Sequence, residues 1–404
     1  MNQSRRSFIR QSALASTAFG AFTISGTKSS GKVIGANERV NVAVCGIKGR
    51  GAAHIGGHGR QKNVAISHLV DPDSSLYDGR KKFVASKFKN TPECVQDVRK
   101  ALDNKDVDVI SIATPNHWHS LMSIWACQAG KDVYVEKPLS HNIFEGGKLV
   151  EAAKKYGRIV QHGTQNRSIQ KWADQAQEIA AGKHGKLEVA LGTCHKRRGS
   201  IGFKKTEKPP AELDFDIWTG PAEKEDFHKN LVHYNWHWFW KYGNGDIGNQ
   251  GVHQMDIARW MIPGARWPKS VVSVGGRFGY EDQGETANTQ LTIFDYGESL
   301  LVFDVRGLSG KSNMGVSNKT YFDKNASQKT SKSYDMKGIR NPLSDRGKGD
   351  IFENFIHAVR SRKTEDLNAH VYEGHVSSGL CHLANVSYQL GEKQGFNKKT
   401  NAFG

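Results

Sequence analysis

Apolar positions along the chain fall into two regimes that meet near Gly163. Before it, short apolar runs recur at Val40–Cys45, Val64–Val70, 107–113, Asp132–Val135 and 158–163. Runs this short and this continuous are strands buried on both faces. The stretches between them predict helices over 75–89, 98–104, 120–129 and 143–156. Strand–helix alternation of that kind makes an open parallel sheet. Past Gly163 a helix over 169–181 ends at Gly182, and 187–193 begins a sheet of another kind. Its strands at 270–278, 287–294 and 300–305 alternate residue by residue, as in Thr289-Gln290-Leu291-Thr292-Ile293. Alternation implies one covered and one wet face, hence a largely antiparallel open sheet. Residues 307–348, rich in glycine, lysine and serine, read as an exposed loop, and 350–362 and 373–390 as closing helices. The expected class is α/β: an N-terminal parallel sheet at 37–163 and an α+β domain at 164–404, after a separate stretch at 1–36.

The first strand breaks abruptly into Gly46-Ile47-Lys48-Gly49-Arg50-Gly51, and a helix follows. At such a strand–turn–helix, free N–H groups and the positive end of the helix dipole meet a pyrophosphate. Gly46 and Gly51 stand at the first and third positions of G-x-G-x-x-G; Lys48 holds the middle one, with Gly49 beside it. The second strand ends in Asp71, twenty positions beyond Gly51. An acidic residue there accepts from a ribose 2′-hydroxyl and repels a 2′-phosphate, favouring NAD over NADP, although Lys48 and Arg50 oppose full exclusion. Two later strands end in polar turns, Thr114-Pro115-Asn116-His117-Trp118-His119 and Glu136-Lys137-Pro138. Ligands of doubly wound sheets lie at those carboxyl ends.

The chain's bulk narrows the classes. Its 404 residues suffice for two cored domains, and 37% hydrophobic with 24% charged residues describes a globular protein. The net charge of +17 is scattered and accompanies no nucleic-acid-binding signature, so no nucleic-acid partner is expected. No apolar run approaches the ~20 residues of a membrane span. Ser4-Arg5-Arg6-Ser7-Phe8-Ile9-Arg10, followed by a weakly apolar, acid-free stretch over 13–24, reads as a twin-arginine export signal and implies a periplasmic mature chain. Five dispersed cysteines without C-x-x-C predict neither metal nor required disulfide, with Cys45 and Cys127 as small core residues.

Glu136-Lys137-Pro138 after the parallel half, with Thr114-Pro115-Asn116 and His119 before it, resembles the glucose–fructose oxidoreductase/inositol dehydrogenase (Gfo/Idh/MocA) family. Gly163-Thr164-Gln165-Asn166-Arg167, the stretch 248–256, Asp366-Leu367-Asn368-Ala369 and Glu373-Gly374-His375 extend the likeness over nearly the whole mature chain. The resemblance implies NAD-dependent hydride transfer to or from a hydroxyl of a sugar, inositol or related polyol. It places Thr114, Pro115, Asn116, His119, Glu136 and Lys137 against the cofactor and aims Lys137 inward through a cis bond before Pro138. It also makes Lys137 and His253 the catalytic pair. Chemically, a lysine beside a nicotinamide steadies alkoxide-like charge, and an imidazole near neutral pH exchanges a hydroxyl proton. Glu136 would orient Lys137 as a paired carboxylate. Gln165, Arg167, Asn249 and Trp238 are expected at the substrate.

Many members carry aspartate four residues before the histidine; this chain has Asn249, with Asp246 and Asp256 as nearby substitutes. The stretch His233–Tyr242 is dense in aromatic rings, which either stack on sugar C–H faces or pack as core or interface. Two other functions fit the sequence: glycoside cleavage through a retained NAD, as in the related N-acetylgalactosaminidases, and non-catalytic sugar binding. A homo-oligomer is expected from the open sheet face.

Overall fold

A computed structural model describes residues 39–308, 315–323, 329–331, 350–393, 396–397 and 402–403. The twin-arginine stretch and most of 309–349 lie outside these residues.

The first sheet contains β1 (Val40–Cys45), β2 (Val64–Val70), β3 (Glu93–Val95), β4 (Val109–Ile112), β5 (Asp132–Val135) and β6 (Val160–His162). All neighbours are parallel, in the order β3-β2-β1-β4-β5-β6. The order reverses beside β1, which opens a crevice at the strands' carboxyl ends. Helices cover both faces, among them α1 (Gly49–Gly59), α2 (Tyr77–Phe88), α3 (Val98–Asp103), α4 (Asn116–Gln128) and α5 (Ile143–Lys155). α4 starts four residues earlier than the sequence predicts, immediately after Pro115, whose φ of −60° suits a helix entry.

After α6 (Gln170–Ala180), the second sheet forms from β7 (Leu187–His195), β8 (Ser270–Gly276), β9 (Thr289–Asp295), β10 (Leu300–Arg306), β11 (Val316–Phe322) and β12 (Lys329–Ser331). Its order is β12-β11-β7-β10-β9-β8, antiparallel except for the parallel β7–β10 pair, so it is mixed. β11 runs through the stretch read as loop. Its buried positions include Asn318 and Thr320, which carry no apolar signal, and Asn318 is satisfied by donating to the Gln254 carbonyl at 2.8 Å. The helices α7 (Phe215–Thr219), α8 (Gly245–Asn249) and α9 (Gly251–Trp260) come from the long β7–β8 connection. The opposite face of the sheet exposes Val272, Val274, Leu291 and Ile293.

The last helices close the molecule. Asp350 caps α10 (Ile351–Ser361) by accepting from Phe352 and Glu353 N–H, both at 2.9 Å. α10 then packs Ile351, Phe352, Phe355 and Val359 into one core with Val40, Val42 and Val109 of the first sheet. The chain thus returns to its first domain, beyond the 37–163 division read from sequence. α11 (Val371–Lys393) bridges both halves: Ser378 accepts from Leu139 N–H at 2.8 Å, and Asn385 donates to the Asn244 carbonyl at 2.9 Å. Among the described residues no helix is long and apolar enough to cross a membrane.

Candidate active site

The turn after β1 is built for close approach. Gly46 has φ +77° and donates to the Val70 carbonyl at 2.8 Å; a Cβ on Gly51 would lie 1.8 Å from the Gly46 carbonyl oxygen. Lys48 at the middle position has φ −77°, outside the left-handed region that favours glycine. Arg80 donates to the Ile47 carbonyl at 2.7 Å and to that of Lys48, tying down the turn. Asp71, at the end of β2, is buried and accepts from Ile47 N–H at 2.9 Å and Asp73 N–H at 3.0 Å. Burial pushes its carboxyl up to about 6. Two acceptor sites on that carboxylate are still open to a ribose hydroxyl. Thr114 Oγ1, beside the same cleft, is buried without a partner among the described residues. A glycine cradle, an acidic strand end and an orphaned hydroxyl along one cleft fit a dinucleotide.

That cleft gathers Gly46, Lys48, Gly49, Arg50 and Asp71 with Thr114, Pro115, Asn116, His119, Glu136, Lys137 and Asn249. Ile47 and Gly51 stand behind it as turn structure. The His119 ring lies between the carbonyls of Thr114 (2.8 Å) and Pro138 (2.6 Å), locking the two polar turns together. Asn116 donates to Asn244 at 2.9 Å and ties α4 to the second domain.

At the carboxyl end of β5 the Lys137–Pro138 bond is cis. Lys137 Nζ donates to the Asn249 main-chain oxygen at 2.7 Å and to its Oδ1 at 3.2 Å. Burial pushes the amine down to about 8, against the pull of Glu136. Glu136 does not pair with that amine as the sequence suggested. Its Oε1 instead accepts from Arg50 Nε at 2.6 Å, His54 Nε2 at 3.1 Å and Gln165 Nε2 at 3.2 Å. Burial opposes ionisation of Glu136, but the Arg50 guanidinium holds it well below the usual carboxylate range. His253 sits in the first turn of α9, half-buried. Burial, then the neighbouring Lys137 charge, pushes it down to about 3, so its ring is neutral.

Neither acid proposed to replace the missing aspartate is available. Asp246 receives Arg198 through Nε at 3.0 Å and Nη2 at 2.6 Å; Asp256 receives Arg167 Nε at 2.9 Å and Ser377 Oγ at 2.6 Å. Arg167, expected at the substrate, is engaged instead in a buried ion pair. It is buried, bidentate on Asp256, and 3.1 Å from Glu373. Trp238 also turns away: it is buried, with the Arg198 guanidinium 5.2 Å from its ring centroid. From this stretch His233, Tyr234, Trp236 and His237 line the cleft, joined by Trp118 and Trp218, with His237 stacked on Trp236 at 3.6 Å between centroids. Short 3₁₀ geometry at Asn235–Trp238 gives no period from which to read this phase.

Sequence reasoning also missed a roof. The segment 196–243 crosses the cofactor cleft and docks on the first domain, where Ser74 N–H donates to Glu212 O at 2.9 Å and Asp214 N–H to Pro72 O at 3.0 Å. His233 reaches Asp73 at 2.8 Å, and Trp118 Nε1 donates to the Trp218 carbonyl at 3.0 Å. Charge at 73, two residues past Asp71, is the one sequence signal for this contact.

Known proteins agree with this geometry. Residues 40–164 match the model of the oxidoreductase family's NAD-binding Rossmann fold, and 197–404 that family's C-terminal alpha/beta domain. A scyllo-inositol 2-dehydrogenase (NAD(+)) from Bacillus subtilis is 35% identical over 167 residues, covering 41% of this chain and 39% of that protein. A glycosyl hydrolase family 109 protein from Shewanella pealeana is 28% identical over 129 residues, covering 31% and 28%. The chain thus spans less than half the length of these curated relatives. The WlbA dehydrogenase from Bordetella pertussis, solved with NADH and UDP-GlcNAcA, superposes with a TM-score of 0.66 at 16% identity, over 88% of this chain and 98% of that one. With its glycine cradle, acidic strand end and E-K-P turn on such a frame, the chain belongs to the Gfo/Idh/MocA family of NAD-binding oxidoreductases.

Proposed function

We propose that the protein oxidises a secondary hydroxyl of a sugar, inositol or related polyol, or reduces the matching ketone. What supports this reading is the Lys137 amine in the cleft at the carboxyl end of the first sheet, with the His253 ring near enough to feel its charge. NAD, held by the 46–51 turn, Asp71 and Thr114, supplies hydride acceptance when bound. Around it the chain's own groups orient the substrate: Lys137 steadies developing oxyanion charge, and Lys137 and His253 manage the hydroxyl proton. Asn249 lines the cleft a substrate would enter, and Gln165 donates to Glu136 there. The test is NADH formation by purified protein across a panel of inositols, aldoses and anhydrosugars, with Lys137→Ala expected to abolish turnover. Ligand binding with no turnover by the unaltered protein would favour a sugar-binding role.

The roof over the cleft favours a second reading, in which NAD is retained through many turnovers and the net reaction is glycoside cleavage. The likeness to family 109 proteins supports it. Release of aglycone from an aryl glycoside without net NADH would decide for cleavage. We further propose export by the twin-arginine route, supported by Arg5 and Arg6 and the acid-free stretch after them; protease protection in spheroplasts tests it. The exposed Val272, Val274, Leu291 and Ile293 suit a homo-oligomer, which sedimentation tests.

A further inference from the structure

The Lys137 amine is held in an unusual way. Its two contacts are both neutral amide oxygens of Asn249, and among the described residues no carboxylate lies within ion-pair distance. Charged groups face it from every side, yet each is engaged elsewhere or repels it. Glu136, on its own strand end, is bound by Arg50 from α1. Asp246, from α8, is bound by Arg198. Lys196, at the end of β7, donates to Gln250 Oε1 at 2.9 Å and adds positive charge. His119 from α4, His237 from the roof and His253 from α9 are each pushed down by burial and stay neutral.

The His253 ring, for its part, has no hydrogen-bond partner among the described residues. A histidine serving as base ordinarily has its second nitrogen held by an acceptor that fixes the tautomer and steadies the imidazolium. Here burial above all disfavours that imidazolium, and no acceptor is in place to offset it. With aspartate at 249 the amine would be an ion pair that keeps its proton, leaving the imidazole to accept. With asparagine the roles reverse.

We propose that Lys137, not His253, takes the substrate's hydroxyl proton, and that Asn249 is the positioning residue that permits it by holding the amine through neutral oxygens. The inference rests on the dehydrogenase reading above. The step balances simply. The hydroxyl O–H breaks and its proton passes to the neutral amine, which becomes ammonium. The carbinol C–H leaves as hydride to the nicotinamide, the oxidant, and the carbon–oxygen bond becomes a carbonyl.

The test is competitive acetylation of the protein as purified, with acetic anhydride from about pH 6 to 10, reading the Lys137 peptide by mass spectrometry against an exposed lysine. Unaltered protein should titrate near pH 8. Asn249→Asp should move the midpoint upward by about one unit or more, as an opposite charge in contact does. In turnover, the acid limb of kcat/KM should move with it, whereas His253→Gln should lower kcat and leave that limb's midpoint in place. A midpoint near the ordinary lysine value of about 10.4 in unaltered protein overturns the proposal even if the aspartate variant does not fold. So does loss of the limb in His253→Gln. Labelling needs no substrate, so failure to form NADH on any polyol refutes the dehydrogenase reading separately.

Discussion

Arg167 offers a sharp test, because substrate contact and buried ion pair predict different losses. Its side chain and that of Asp256 are 6% and 1% exposed, and the guanidinium fork meets the carboxylate at 2.9 Å through both Nε and Nη2. Arg167→Met keeps most of the volume and removes the charge. Asp256 then keeps Ser377 Oγ at 2.6 Å, with Arg259 3.8 Å away. Breaking one side of a buried pair costs about 3–5 kcal/mol, because the other charge is left desolvated. For a domain of this size that is a fall in Tm of roughly 6–20 °C. The pH dependence fixes the sign. Burial opposes ionisation of Asp256, but Arg167 holds its carboxyl below the usual range, so the pair stabilises the fold above the unfolded carboxylate value and loses that contribution in acid. The Tm gap between variant and parent should therefore be widest near neutrality and close toward about pH 4, where protonation relieves the stranded charge. Adding Asp256→Asn should restore most of the loss, since removing both buried partners is close to neutral. Calorimetry across pH reads all three. An unchanged Tm with a raised KM would return Arg167 to the substrate and refute the reasoning.

Other outcomes follow from the cofactor turn and its neighbours. Asp71→Asn should lower the NAD-to-NADP ratio of kcat/KM by about tenfold, the worth of one charged hydrogen bond and a removed repulsion. Gly51→Ala drives a methyl into the Gly46 carbonyl; NAD at a hundredfold its Kd should stabilise the parent by about 2.7 kcal/mol and the variant not at all in thermal denaturation. Glu136→Gln removes the charge that sustains the Lys137 ammonium, so its labelling midpoint should fall, opposite in direction to Asn249→Asp.

The parallel half was legible because most of its strands are buried on both faces and read as short, largely apolar runs; β3, with Glu93 exposed, wrote no such run. β11 was not: two of its three buried positions are Asn318 and Thr320, and the Asn318 amide is satisfied only by the Gln254 carbonyl from another element. The same division holds in the site. Gly46, Gly51 and Asp71 act through local backbone geometry, which spacing encodes. Arg167 and Trp238 were misplaced because a buried Arg–Asp fork and a ring beneath Arg198 depend on residues far along the chain. For Asn249 the departure at one position was visible, but only the coordinates show Asp246 and Asp256 bound to other arginines.

The helix that completes the first core, Ile351–Ser361, is made long after the sheet it covers. During synthesis, Val40, Val42 and Val109 wait with one flank open until the segment Ile351–Ser361 has been made. The core of the first domain is therefore completed only after the strands of the second sheet have been synthesised. A fragment ending at residue 164 would expose that flank to solvent and aggregate, so the two halves are not interchangeable cassettes.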